Sequence, residues 1–505
     1  MRNTVRWVFA LALIVALSCA KTTNVAAAPA AEERPAGVAG AFYPADPAQL
    51  GAFVDHALAE AAVPSSDKPL VAIVAPHAGY QFSGSVAAYS YALLKGRPFT
   101  RVVIIAPSHY EAFDYSSVYD GDAYLTPLGR VPVDRDFARR LAASGNRIRL
   151  SQSGHRISAS GAEHAVEVQL PFLQKVLSNF SIVPVIMGDQ SYEASRALGL
   201  ALAKLLKNDT STLIVASSDL SHYHSYDEAV RMDRKLLQAI EDDDFLTVSN
   251  NTGRRVWEAC GAAPIVATMI AAHHLGSSHP KLLKYANSGD TFGDKSRVVG
   301  YSAIAFFRQQ DAAVDSPLTL SESEKSELLR IAAASVDAAV REGKAYDPPV
   351  PAMPSLLQER GVFVTLTKAG ELRGCIGYTA PVLPLYQAVA ETARLAAQRD
   401  PRFPPVRQTE LKELQYEISV LSSFHHLMDG SKVRVGVDGL LIRRRESQGI
   451  LLPQVPTELG WDRVTFLEEL SLKAGLERTA WRDPDSDLFT FTALVFSDKR
   501  APTRD

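Results

Sequence analysis

The chain has 505 residues, 47% of them hydrophobic and 22% charged, and a formal net charge of -3. That length exceeds one ordinary core and predicts two or three domains with the composition of a globular protein in water. The near-neutral balance, with no basic stripe interleaved with aromatics, excludes a nucleic-acid footprint, and runs such as Arg443–Arg445 and Glu241–Asp244 read as solvated faces or turns.

The chain opens "MRNTVRWVFALALIVALSCAKTTNVAAAPAAEE": two arginines, an apolar run from Trp7 to Leu17, then small residues. This pattern predicts a secretory signal peptide over residues 1–28, its apolar run too short for a membrane span. Two processing routes stay open. "VALSC" is similar to a loose bacterial lipobox, which would make Cys19 a lipidated first residue; "VAAAPAA" offers ordinary cleavage. The expected location is exported, either periplasmic or as a lipoprotein whose membrane contact is the lipid on Cys19. Only Cys260 and Cys375 remain beyond it, so a disulfide framework is not the design.

Residues 35–308 alternate apolar strand-like runs ("LVAIVAP", "RVVIIAP", "SIVPVIMG", "TLIVASSD", "YSAIAFF") with helical patterns ("SVAAYSYALLK", "AVEVQLPFLQKVL", "EASRALGLALAKLL", "EAVRMDRKLLQAIE"), which predicts an α/β domain. Ligands of such sheets gather beyond the carboxyl ends of the strands. Residues 309–320 are polar with Pro and Ser and read as a linker. Residues 321–498 begin with a helix capped by Ser321 or Ser323, then mix strands ("GVFVTLTK", "LQYEISVLS", "GLLIRRR") with helices ("LYQAVAETARLAAQ", "RVTFLEELSLKAG"), an α+β domain.

Two of the strands end alike. "VAPHAGYQFSG" and "VVIIAPSHYEAF" each carry a histidine, His77 and His109, out of an apolar run on an Ala-Pro turn, which aims both imidazoles at one place. Cys260, in "WEACGAAPIVATMIAAHHLG", precedes an apolar helix whose dipole favours a thiolate. Imidazole and thiolate are the usual donors for zinc, copper and iron. The same residues also read as hydrogen-bonded loop histidines and an inert cysteine.

The ordered motifs "VAPHAGYQFSG", "APSHY", "EHAVEVQLPF", "ASSDLSHY" and "CGAAPI", spanning Pro35 to Phe307, resemble the Memo family, whose bacterial members are called AmmeMemoRadiSam system protein B. The resemblance implies a sandwich of helices around a mixed sheet, like that of class III extradiol dioxygenases, with a metal pocket at the strand ends. It implies metal ligands at His77, His109 and Cys260, and nearby catalytic polar residues at His164, His222 and Asp219. The expected cofactor is one transition metal ion, iron or copper preferred, with zinc as the alternative. A neutral imidazole at His164 or His222 suits proton transfer, and Asp219 could orient it. Glu163 and Glu167 flank His164; capping and surface solvation account for Glu163. His273 and His274 read as a solvent-facing pair complementing a helix C-terminus, and His155 carries no local context that separates it from a loop residue.

In the second domain "LRGCIG", "DPRFPP", "EISVLS" and "LLPQV" resemble the AMMECR-type domain, AmmeMemoRadiSam system protein A. Arg373 and Arg402 are candidates to clamp an anion beside Cys375. The alternative is a buried cysteine and an Asp400–Arg402 pair holding a turn. The resulting expectation is a metal-dependent, dioxygenase-like oxidoreductase acting on an unknown small, aromatic or otherwise oxidisable molecule. Its alternatives are a metal-handling or ligand-binding protein without turnover, and a zinc hydrolase. The family name also implies a functional link to a radical-SAM enzyme.

Overall fold

The computed structural model describes residues 32–498 apart from 64–65, 67, 159–160, 278–279 and 309–317. The expected signal peptide with Cys19, and most of the expected linker, lie outside the described residues. No helix among the described residues is long and apolar enough to cross a membrane.

The first half is built on β1 (Leu70–Ala75), β2 (Arg101–Pro107), β3 (Ser116–Val118), β4 (Ile148–Leu150), β5 (Ser181–Met187), β6 (Thr212–Ser217), β7 (His222–His224), β8 (Lys281–Asn287) and β9 (Val298–Phe307). They form a mixed sheet in the order β7-β9-β1-β6-β2-β5-β3-β4, with β8 also on β9. Its centre, β1-β6-β2-β5, is parallel, and β9 runs antiparallel to β1. These central strands read as unbroken apolar runs because both faces are covered. Alternate residues enter opposite layers. Val74, Val103, Ile105 and Ile214 join α2 (Tyr192–Leu205), α3 (Tyr226–Glu241) and α4 (Ala262–His274). Ile73, Ile104, Leu213 and Val215 join helix Pro47–Glu60 and α1 (Tyr80–Ala92).

The second half starts with α5 (Glu322–Glu342), closed at its N-terminus by a capping box between Ser321 and Glu324. Two four-stranded antiparallel sheets follow. The first runs β11-β10-β12-β17 from β10 (Val362–Lys368), β11 (Glu371–Tyr378), β12 (Leu414–Leu421) and β17 (Ala493–Ser497). The second contains β13 (His425–His426), β14 (Gly439–Arg444), β15 (Ser447–Leu451) and β16 (Asp487–Phe491). Helices α6 (Leu385–Gln398) and α7 (Arg463–Lys473) pack on them.

The halves share a core. Phe424, Leu441, Phe489 and Phe491 bury against the layer of α2 and α4. Asp487, 4% exposed, accepts from Arg196 Nε at 2.7 Å and Tyr192 OH at 2.8 Å. This contact corrects the expectation for His273 and His274. The second half covers the C-terminal end of α4, so their rings lie 5.6 and 5.3 Å from that of His426 instead of facing solvent. His273 Nδ1 bonds Asp243 Oδ2 at 2.6 Å.

Candidate metal centre

Three neighbouring parallel strands each deliver a polar residue two positions beyond their carboxyl ends. β1 leads to His77, β6 to Asp219 and β2 to His109. The Ala-Pro turns therefore do bring the two imidazoles together, with ring centroids 5.2 Å apart. His164 completes a cluster: its ring lies 5.4 Å from that of His77 and is stacked at 4.9 Å on His109.

Hydrogen bonds fix the two strand-end histidines. Ser217 Oγ donates to Ala165 O at 2.6 Å and accepts from Gln169 Nε2 at 2.8 Å. Its 2.9 Å contact with His77 Nδ1 must then be an imidazole N–H donating to it, which leaves His77 Nε2 unprotonated, an acceptor. His109 Nδ1 donates to Glu163 Oε1 at 3.0 Å, and its backbone N–H donates to Oε2 at 2.7 Å. Burial opposes charge on Glu163, but His109's hydrogen bonds and charge hold the carboxyl down to about 2. The same contact outweighs burial at His109 and raises its pKa. Burial, then the neighbouring histidines, push His77 well below its ordinary value and His164 down to about 3, so both imidazoles are neutral near pH 7.

Cys260 meets His77 at its Nε2. Its Sγ lies 3.1 Å from His77 Nε2 and accepts the Asp219 backbone N–H at 3.3 Å. Asp219 Oδ1 accepts from His77 N at 2.8 Å, and Oδ2 lies 4.0 Å from His77 Nε2. Gly261 lets this turn pass; a Cβ there would strike Ser217 O and Ser218 Cβ. The helix dipole does not prevail at Cys260: burial first, then the Asp219 carboxylate, push the thiol far up. His222 Nδ1 donates to Leu220 O at 2.8 Å, which leaves Nε2 as an acceptor in the neutral ring.

Donor atoms within 4.8 Å of one another thus form two sets that share His77, one with His109 and His164, the other with Asp219 and Cys260. His109 and Cys260 fall in different sets: Glu163 holds the first beside His164, and the Asp219 backbone N–H holds the second beside His77 Nε2. The His164 Nδ1 atom is buried with no hydrogen-bond partner among the described residues, and His77 Nε2 is unprotonated. This nitrogen-rich donor set, with a thiol beside His77, fits a transition metal of borderline softness.

Glu163 is the residue the sequence reading underrated. It is 3% exposed and also accepts the His164 and Ala165 N–H groups. Four N–H donors from three residues converge on this carboxylate, which a linear chain does not display. Glu167 and His155 are buried and bonded to Arg34 and Tyr124 respectively.

In the second half Cys375 N donates to Asp400 Oδ2 at 2.8 Å. Arg402 bonds Asp400 through Nε at 2.9 Å and Nη2 at 2.6 Å. The joint arginine clamp does not form, because the fork of Arg373 is spent on Glu410 at 3.0 and 3.1 Å.

A family model described as Memo-like protein matches residues 34–305, and one described as AMMECR1 matches residues 329–496. A MEMO1 family protein of Methanopyrus kandleri is 40% identical over 287 residues, covering 55% of this chain and 99% of that protein. One from Methanobrevibacter smithii is 35% identical over 285 residues, covering 54% and 99%. The crystal structure of an uncharacterized protein of Pyrococcus horikoshii is 39% identical with a TM-score of 0.33, covering 34% of this chain and 90% of that one. With a match across more than half of its length, the chain belongs to the Memo-like protein family and continues into an AMMECR1 domain.

Proposed function

We propose that the Memo-like half is a transition-metal-dependent redox enzyme that holds one ion, iron or copper before zinc, and acts on a small oxidisable molecule. The observation that carries this reading is the packing of His77, His109 and His164, two of them neutral by burial, with the outer nitrogens of His77 and His109 already engaged by Ser217 and Glu163. A bound metal would supply Lewis acidity and, for iron or copper, electron transfer. His222, through its free Nε2, takes a proton from the substrate, and Asp219 holds the His77 turn by accepting its backbone N–H. The second donor set, with its thiol and carboxyl, favours metal handling without turnover as the other reading.

The test is metal analysis of the full chain purified from its own compartment, followed by oxygen consumption on a panel of phenols. About one ion per chain with substrate-dependent oxygen uptake, lost in His222→Gln, supports the enzyme. One ion without uptake leaves metal handling, and no metal removes both.

Glu163→Gln keeps the shape of the loop and removes the negative charge behind His109. It is expected to lower metal affinity roughly 10- to 100-fold, the usual effect of losing a carboxylate that orients a ligating histidine. Competition with a chromogenic chelator reads this directly; an unchanged affinity would show that His109 needs no such support.

A further inference from the structure

The histidine pair at the end of α4, His273 and His274, has no part in the first metal centre, yet the fold gives it a similar setting. β13 of the second half brings His426 against it, and the three ring centroids lie 5.3, 5.6 and 6.0 Å apart. Three imidazoles on one tetrahedral zinc, with Zn–N bonds of about 2.0–2.1 Å, set their ring centres roughly 5.2 Å apart. The observed spacings exceed that by at most about 0.8 Å.

The ring nitrogens are divided as those of ligating histidines are. His273 Nδ1 bonds Asp243 Oδ2 at 2.6 Å, and His426 Nε2 lies 3.4 Å from Asp487 Oδ1. A carboxylate on one nitrogen orients the ring and leaves the other as a donor to metal. The other nitrogen of His426, Nδ1, is buried with no hydrogen-bond partner among the described residues, and so is Nε2 of His274. The His426 side chain is only 9% exposed, and at such depth an unengaged nitrogen is costly. Phe245 and Phe489 wall its ring at 5.6 and 5.3 Å, an apolar surround of the kind that encloses metal sites. Burial, then His426 and His273, hold His274 down to about 4, so its ring is neutral near pH 7. Arg196 also faces His274, but Asp487 takes its Nε at 2.7 Å, and Asp243 leaves the surroundings with a negative charge. The donor atoms of the three rings do not all come within 4.8 Å of one another, as those of the first centre do. The difference is one of ring orientation. Histidine χ2 is a broad torsion, and turning His274 breaks no hydrogen bond at its Nε2.

We propose that His273, His274 and His426 form a second metal site, which takes a divalent ion of the zinc type and ties the second half to α4. Two ligands come from the first half and one from the second, so a bound ion favours the docked arrangement over any in which the halves part. The site fills from added zinc, because the ion has to turn the rings toward itself.

Equilibrium dialysis of the full chain against zinc chloride, with bound zinc counted per chain, tests this. Wild type is expected to bind one ion per chain more than His274→Gln or His426→Gln. The readout is a difference between chains, so it stands whatever the first centre holds. Equal zinc content in wild type and both variants overturns the proposal. A loss in His274→Gln alone puts the ion on α4 only and overturns the tie between the halves. Should His426→Gln lose its folded far-UV spectrum, the imidazole count in the X-ray absorption spectrum of zinc-loaded His77→Ala decides instead. Three imidazoles support the tie, and two or fewer overturn it.

Discussion

Alanine at position 77 is expected to lower metal affinity by more than about 100-fold, beyond the effect of removing a supporting group behind a ligand. His77 is the only residue common to both donor sets, so its loss weakens either way of holding the ion. His109→Ala or Cys260→Ala removes a donor from one set only, and the comparison shows which set is used. The fold should survive His77→Ala. Gln169 Nε2 still donates to Ser217 Oγ and to Pro76 O, and Ser217 still donates to Ala165 O. No buried donor is orphaned, and the cost is that of a cavity, about 1–3 kcal/mol. Metal content per chain and the rise in melting temperature on adding metal measure the effect. Wild-type stoichiometry in His77→Ala would place the ion elsewhere.

The framework of this site was legible in the chain, and its supports were not. Unbroken apolar runs marked β1, β2, β5 and β6 because these strands are buried on both faces, and the repeated Ala-Pro turns marked His77 and His109. Asp219 carries the same signature, two residues past the end of β6, and that offset could have placed it beside His77 without any resemblance. Glu163 and Gln169 could not be found that way. His109, the histidine that Glu163 orients, and Pro76 and Ser217, which Gln169 bonds, lie tens of residues away, and a glutamate beside a loop histidine looks like any solvated carboxylate until the fold buries it. His273 and His274 failed for a related reason. A helix C-terminus predicts exposed cations only when nothing docks on it, and here the second half does. The helix dipole at Cys260 was a correct local inference outweighed by burial and Asp219.

Glu167→Ala is expected to cost about 3–5 kcal/mol of stability, the range for removing one partner of a buried ion pair. Glu167 is 0% exposed and Arg34 4%. The carboxylate takes Arg34 Nη1 and Tyr43 OH at 2.5 Å and the backbone N–H groups of Gly37 and Val38 at 2.9 and 3.0 Å. Its removal strands a guanidinium, a hydroxyl and two amides away from water. The damage should also reach the metal centre without touching a donor. Arg34 Nη2 holds Glu163 O at 2.5 Å, and the side chain of Glu163 in turn orients His109. Weaker metal binding should therefore accompany the loss of stability. Replacing the pair together, Arg34→Met with Glu167→Met, removes the stranded charge and should recover much of the stability but not the hold on Glu163. Urea unfolding of the single and double variants, with metal content alongside, separates the two effects. A Glu167→Ala cost below about 1 kcal/mol, the range of an exposed pair, would mean that the Arg34 anchor is not the brace described here.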